Sequence, residues 1–345
     1  MRKFRTFSLV LALMLTSQVP ASLAETAPVN PSEVSEDFIL SHPAEDENLN
    51  AFSSQDEAKE YWTPQRMMAA LPADLPDSNT TVQLSQEQQD SSQASNQPKT
   101  IVEPQSAQQN TNFSTLGRQL ATAQTTSFMK VPSATGKVFF SYQGQDFVCS
   151  GAAIASQRKN VVSTAAHCLH AGRNGGWHSN LVFVPAYYQG QTPYGVWSGQ
   201  HSIVDADWYN DEKDEADNGF FRVYPNNEGQ QLTSVVGGNG LRINASPAQQ
   251  QVRVWGWPAR LPYNGKVGHF CYSDTQAVLE DPKEMFMGCT LNSGASGGPW
   301  ILDENEEGQG YVFGVVSRGS YRYGYPMIIS TPFDSKVEEM FKLIQ

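Results

Sequence analysis

The sequence predicts an all-β fold closed by one C-terminal helix and preceded by a long, largely disordered acidic region. Three observations carry this. From about Val131 onward, short apolar or alternating runs recur, each broken by Gly, Pro, Asn or Asp. The stretch before them turns to Gln, Ser, Asn, Asp and Thr with hardly any large apolar residue. One amphipathic repeat stands at the C-terminus.

Residues 1–24 read as a secretory signal. Arg2, Lys3 and Arg5 make a basic head, Phe7 to Leu15 an apolar core, and Ser22-Leu23-Ala24 a small-residue cleavage site. That core is too short to span a bilayer, which takes about 20 apolar residues, and no later segment approaches that length. The expectation is an exported, soluble monomer with no membrane anchor.

Residues 25–130 read as an acidic propeptide and linker. Within 25–72 one helix start stands out, Thr63 as N-cap and Pro64 at the first helical position, followed by Gln65-Arg66-Met67-Met68-Ala69-Ala70-Leu71. Asp77 to Asn112 cannot bury enough surface to offset its ordering entropy, which predicts a disordered linker. The net charge of −12 belongs to this region: residues 25–112 hold 15 acidic and 3 basic side chains. The remainder is near balance and carries no basic nucleic-acid footprint.

The strand signals follow from Lys137-Val138-Phe139-Phe140 through Leu181-Val182-Phe183-Val184 and Val252-Arg253-Val254-Trp255 to Tyr311-Val312-Phe313. Many brief strands at this spacing point to a barrel or sandwich. Trp255 and Trp257 are expected to pack the second half, and Glu304 to Glu307 to be a solvated hairpin tip. At the end, Ser335-Lys336-Val337-Glu338 reads as a capping box, with Val337, Met340, Phe341 and Ile344 on one apolar face.

The cysteines are Cys149, Cys168, Cys271 and Cys289. An even number in an exported chain implies disulfides, with three connectivities open. Sequential pairing, Cys149 with Cys168 and Cys271 with Cys289, closes two loops of just under twenty residues, each worth roughly 3 kcal/mol on chain-entropy grounds. A four-cysteine zinc site is disfavoured by the lack of Cys-x-x-Cys pairs and by an oxidising compartment.

Chemistry gathers at three places. In Gly294-Ala295-Ser296-Gly297-Gly298-Pro299, glycines let the backbone turn sharply and bring N–H groups toward a substrate carbonyl. The segment also fits the Gly-x-Ser-x-Gly elbow of α/β-hydrolases, but there the base histidine follows the serine. Here all six histidines precede Ser296. In Ser163-Thr164-Ala165-Ala166-His167-Cys168, small residues and a cysteine would fix an imidazole at the end of a buried strand. Asp217 leads directly into the apolar run Gly219-Phe220-Phe221-Arg222-Val223, where a carboxylate can be buried against imidazole Nδ1. Asp205, Asp207, Asp211 and Asp214 lie nearby but lack that context. His170, His178, His201 and His269 have no motif context.

Thr164-Ala165-Ala166-His167-Cys168 and Ser296-Gly297-Gly298-Pro299 resemble the signature segments of trypsin-like serine peptidases, and the order His, Asp, Ser matches that family. The resemblance covers Val131 to Gln345 and looks closest to the branch that includes the glutamyl endopeptidases. It implies two packed antiparallel β-barrels with the active site between them. It also implies a catalytic triad of His167, Asp217 and Ser296, an oxyanion hole at the amides of Gly294 and Ser296, and a Cys149–Cys168 disulfide. Val315 to Gly319, with Val316, Ser317, Arg318 and Gly319, would be the substrate-binding strand. Acyl transfer of this kind takes a peptide substrate and needs no metal or organic cofactor.

Three departures bear on activation and specificity. Ala295 stands where trypsins carry the aspartate that receives the new N-terminal amine. Thr290 stands where they carry the aspartate that selects Lys and Arg, and Val316 where glutamyl endopeptidases carry a histidine. Arg318 would favour an acidic side chain or lie solvated at the rim. Two other classes compete: an inactive binding module on this fold, which retention of all three triad residues opposes, and a periplasmic quality-control protease, which would add a peptide-binding domain. The N-terminal region is expected to act as the chain's own inhibitor or folding aid.

Overall fold

Strands with one apolar face must bury it, and here alternation along each strand sorts residues between two cores. The computed structural model describes residues 37–41, 55–73, 97–108, 131–322 and 324–345. The proposed signal and most of the linker lie outside them. Three strands come from the N-terminal third: β1 (Phe38–Leu40), β2 (Leu71–Pro72) and β3 (Lys99–Val102). Six more follow: β4 (Thr135–Tyr142), β5 (Gln145–Ile154), β6 (Val161–Thr164), β7 (Ser179–Pro185), β8 (Trp197–Asp205) and β9 (Gly219–Val223). These six pair antiparallel in the order β4-β5-β6-β9-β8-β7, and β7 returns to β4, closing a barrel. Val138, Phe140, Cys149, Phe183, Trp197 and Phe221 fill it.

The alternate residues, Phe139, Val148, Val182 and Val184, point out of the barrel yet are also buried. Two short helices cover them, α1 (Gln55–Tyr61) and α2 (Pro64–Ala69). Ala58, Trp62 and Met67 pack on that outer face, with the Trp62 ring 5.1 Å from Phe139. Trp62 Nε1 donates to the Asn180 carbonyl at 2.6 Å. Tyr61 donates to Asp146, which Arg66 also meets at 2.9 Å. The Thr63–Pro64 helix start is present, with Thr63 Oγ1 accepting from the Arg66 amide.

Sheet pairing anchors the rest of this region. β1 lies antiparallel on β8, and β2 parallel on β5. Of the stretch expected to be a linker, residues 97–108 contradict that reading: β3 is a strand on β10 (Gly240–Ile243), Gln105 exchanges both backbone bonds with Gly238, and Lys99 pairs with Glu338 at 2.6 Å. The physical reason is that an added strand draws its stability from backbone bonds to an existing edge, so its own side chains need not be apolar.

The second half adds β11 (Val252–Gly256), β12 (His269–Ser273), β13 (Gln276–Ala277), β14 (Met285–Gly288), β15 (Pro299–Leu302), β16 (Tyr311–Val315), β17 (Arg318–Arg322) and β18 (Tyr325–Ser330). Where a second barrel is expected, these strands make two sheets, β12-β11-β15-β16-β10-β3 and β13-β14-β18-β17. Both feed one core, with Val254, Met285, Trp300, Phe313, Val316 and Ile328 in it. Trp255 and Trp257 do not join it: Trp255 belongs to the first core, and Trp257 packs with Phe139 and Tyr187 outside the barrel. Glu304 is no solvated tip either, since it accepts from Trp255 Nε1 at 3.1 Å and pairs with Arg253.

Two short helices, α3 (Ala206–Asp211) and α4 (Leu232–Val236), connect strands, and α5 (Ser335–Ile344) ends the chain. Its cap is Asp334 rather than Ser335: Asp334 Oδ1 accepts from the amides of Lys336 and Val337. The expected apolar face is buried, and Phe341 meets Phe220 of β9 at 5.6 Å. The last helix thus packs back onto the first barrel. Among the described residues no helix is long and apolar enough to cross a membrane.

Trp62→Ala tests the weight of the outer cover. Truncating so buried an aromatic should cost about 3–5 kcal/mol, read as a lower urea midpoint. A loss under about 1 kcal/mol would show that the cover is only loosely held.

Candidate active site

β6 is buried along its length, and the small residues Ala165 and Ala166 after it let a 3-10 turn, Ala166–Cys168, follow at once. The turn carries His167, and the Cys149–Cys168 disulfide ties it to β5. The second disulfide joins Cys271 to Cys289, so the pairing is sequential. Cys149, His167 and Cys168 cluster closely enough to hold a metal, but the two sulfurs are bonded to each other and offer no thiolate.

Asp217 follows the 3-10 turn Asp214–Ala216 and precedes β9. Its carboxylate is fully buried and accepts three hydrogen bonds. The donors are the His167 backbone N–H at 2.9 Å, His167 Nδ1 at 2.9 Å and the Ser317 hydroxyl at 2.8 Å. Such donors offset the cost of burying the charge. With Nδ1 as donor, Nε2 is left as the basic nitrogen, and it is buried without a hydrogen-bond partner. The competing aspartates are engaged elsewhere. Asp205 caps α3, Asp207 pairs with Lys213 and Lys336, Asp211 with Arg173, and Asp214 with Arg318.

Two glycines set the Ser296 loop, Gly294 at φ 95° and Gly297 at φ 77°. A Cβ on Gly297 would stand 2.1 Å from Thr164 Oγ1 and 2.8 Å from the Ala165 nitrogen. Its absence lets the serine loop lie directly against the strand that leads to His167. Ser150 pins the loop: its hydroxyl donates to the Gly294 carbonyl and accepts from the Trp257 amide, and its amide donates to the Ser296 carbonyl. The amides of Ala295, Gly297 and Gly298 are all bonded within the chain. Those of Gly294 and Ser296 donate to no acceptor among the described residues, so both are available to an oxyanion. Ser296 Oγ makes no hydrogen bond to Nε2.

The expected substrate strand is divided in its roles. Val316 is buried in the second core, and Ser317 turns to Asp217. Gly319 pairs with Ile328, and a Cβ there would meet nothing nearer than 3.9 Å. Thr290 is exposed and bonds Tyr263 Oη at 2.6 Å. Arg318 corrects its reading: it is 8% exposed, with Nη2 2.7 Å from both Glu284 oxygens. The guanidinium is therefore not solvated: Glu284 holds Nη2, while Nε and Nη1 are buried without a hydrogen-bond partner among the described residues.

Sequence reading missed Ser150, Glu284 and Lys137. Each meets a partner over thirty residues away, so no local spacing marks it. Lys137 Nζ is wholly buried over the Phe139 and Tyr187 rings and donates to the Gly265 carbonyl. Burial lowers its pKa to about 7. The same cause lowers His170 to about 4 and His178 to about 3, the latter stacked 4.2 Å from Phe140 beside the disulfide.

No protein-family model and no curated protein matches the chain. Solved structures do. The thermostable serine protease AL20, from an extremophilic microorganism, is 31% identical with a TM-score of 0.56, covering 61% of this chain and 95% of its own. The protease Anisep of Arthrobacter nicotinovorans is 30% identical with a TM-score of 0.55, covering 62% and 96%. A Glu endopeptidase follows at 16% identity and a TM-score of 0.49, covering 63% and 93%, too slight a likeness to bear on specificity.

The buried histidines fix the sign of an acid effect. Their folded pKa values lie below the unfolded value of about 6.5, so the unfolded chain binds more protons and stability falls as pH drops from there toward 3. His178→Phe keeps the stack on Phe140 and removes one titrating group. Its stability should fall less steeply between pH 6.5 and 3, by about 1.4 kcal/mol per pH unit at most. Parallel curves from urea melts would refute His178 as a contributor.

Proposed function

The chain belongs to the trypsin-like serine proteases, and on that premise we propose that this endopeptidase is exported and cuts peptide bonds through His167, Asp217 and Ser296. The carrying observation is the His167 ring, held by Asp217 at Nδ1 with Nε2 buried and unpaired, in a site that leaves the Gly294 and Ser296 amides unused.

Each group then has a task. His167 Nε2 takes the Ser296 proton as Oγ attacks the peptide carbonyl. Asp217 holds the Nδ1 tautomer and stabilises the imidazolium that forms. The two free amides receive the oxyanion. His167 returns the proton to the leaving amine, and an acyl-enzyme remains. Water, activated at the same Nε2, then hydrolyses the ester and releases the second product. Export is supported by the signal-like residues 1–24 and by both disulfides.

Residues 25–130 serve as the domain's folding aid. Their described parts contact β5, β7, β8, β10 and α5, and α1–α2 cover the outward face of Phe139, Val148, Val182 and Val184. That placement favours support of the barrel over occlusion of Ser296. The catalytic domain, residues 131–345, would expose this apolar face without them.

Ser296→Ala should lower kcat by about six orders of magnitude, and a fluorophosphonate should label the wild type at Ser296. Labelling at another residue, or an unaltered rate, removes Ser296 as nucleophile. Residues 131–345 expressed alone should give little soluble protein, and residues 25–108 added in trans during refolding should raise the yield. Equal yields with and without them would reduce the segment to a spacer.

A further inference from the structure

Arg318 begins β17, one residue after the serine that donates to Asp217. Its Nη2 takes both oxygens of Glu284, whose side chain is 6% exposed, and its Nε lies 3.4 Å from Asp214 Oδ2. Glu284 stands just before β14 in the second half. Asp214 begins the turn that ends at Asp217 in the first. One guanidinium therefore joins the strand after Ser317, the sheet behind it and the turn that presents Asp217.

Stability alone gives no reason for this set. Burying a cation with carboxylates costs solvation, and apolar replacements of such groups are often neutral or better. The surroundings are strongly acidic: Asp214, Glu215 and Asp217 from one side and Asp281 and Glu284 from the other, with His167 as the remaining titratable neighbour. Burial pushes the Asp214 and Glu284 carboxyls up, and Arg318 draws both down.

We propose that Arg318 is a positioning residue for the triad: it clamps the Asp214 turn to β17 so that Asp217 stays against Nδ1, and its charge offsets the carboxylates gathered there. The inference rests on the triad reading above. Without the guanidinium the Asp217 turn loosens, and kcat falls while KM changes little. The uncovered negative field also favours the His167 imidazolium, so the acid limb of kcat/KM moves to higher pH. A substrate-reading arginine would behave differently: KM would rise on acidic peptides alone, and the acid limb would stay.

The test uses the full-length secreted chain, with two quenched peptides, one acidic and one neutral. Fluorophosphonate labelling of wild-type Ser296 comes first; if it fails, the triad reading falls and this inference with it, before any Arg318 variant is read. Arg318→Gln should lower kcat by ~10-fold or more on both peptides. Its acid limb should rise by roughly half a pH unit. Arg318→Lys should restore the limb but only part of kcat, because an ammonium lacks the planar fork. The double variant Arg318→Leu/Glu284→Leu leaves no unpaired carboxylate at 284 and covers the case in which Arg318→Gln does not fold. It should show the same kcat loss with a smaller limb shift, because one carboxylate leaves with the cation. An unmoved limb with unchanged kcat in any folded variant lacking the guanidinium overturns the proposal. So does a change confined to KM on the acidic peptide, or loss of folding in all three, which would make the set purely structural.

Discussion

A carboxylate removed from water must be met by donors, and the Asp217 carboxylate takes its donors from both halves of the domain. His167 supplies two from the turn after β6, and Ser317 supplies one from the link between β16 and β17. Satisfying that one group fixes the tautomer of the imidazole, the position of its turn and the approach of the second half. The disulfide beside His167 then acts on a turn already placed, holding it to β5. The order of dependence runs from the buried charge outward.

The serine loop reaches this centre by thinness. Gly297 lies where any side chain would strike Thr164, and Thr164 Oγ1 donates to the Ser150 carbonyl. Ser150 in turn bonds Gly294, Ser296 and Trp257. One small residue on β5 therefore ties the oxyanion loop to the strand beside the histidine turn. Hydroxyls and glycines do this because larger groups would hold the halves apart.

Much of this was legible in the sequence, and the limits have physical causes. His167, Asp217 and Ser296 stand out in the sequence because each sits in a local context, small residues or an apolar run, visible without its partners, and the structure sets His167 against Asp217. The cysteines alone left three connectivities open, and the family resemblance implied Cys149–Cys168, the pairing present with Cys271–Cys289; the α2 start followed from Thr63 and Pro64. Strand β3 was missed because edge pairing is a backbone property that leaves little mark on composition. Trp62 and Phe139 were missed as partners because a barrel with an apolar outer face is unusual until its cover is known. Arg318 was misread as a rim residue because its partners, Glu284 and Asp214, are set by three-dimensional closure and lie 34 and 104 positions away.

Ala295 shows how these points bear on activation. In trypsins an aspartate there receives a freed N-terminus, which Ala295 cannot do. Here Ala295 is buried, packed where a Cβ on Gly256 would touch it. The loop draws its order from bonds internal to the domain: Ser150 to Gly294 and Ser296, and Gly297 to Val316. Those bonds involve none of the described residues of the N-terminal third. Helices α1 and α2 of that segment lie on the barrel's outer face, on Phe139, Val148, Val182 and Val184, and make none of the loop's bonds.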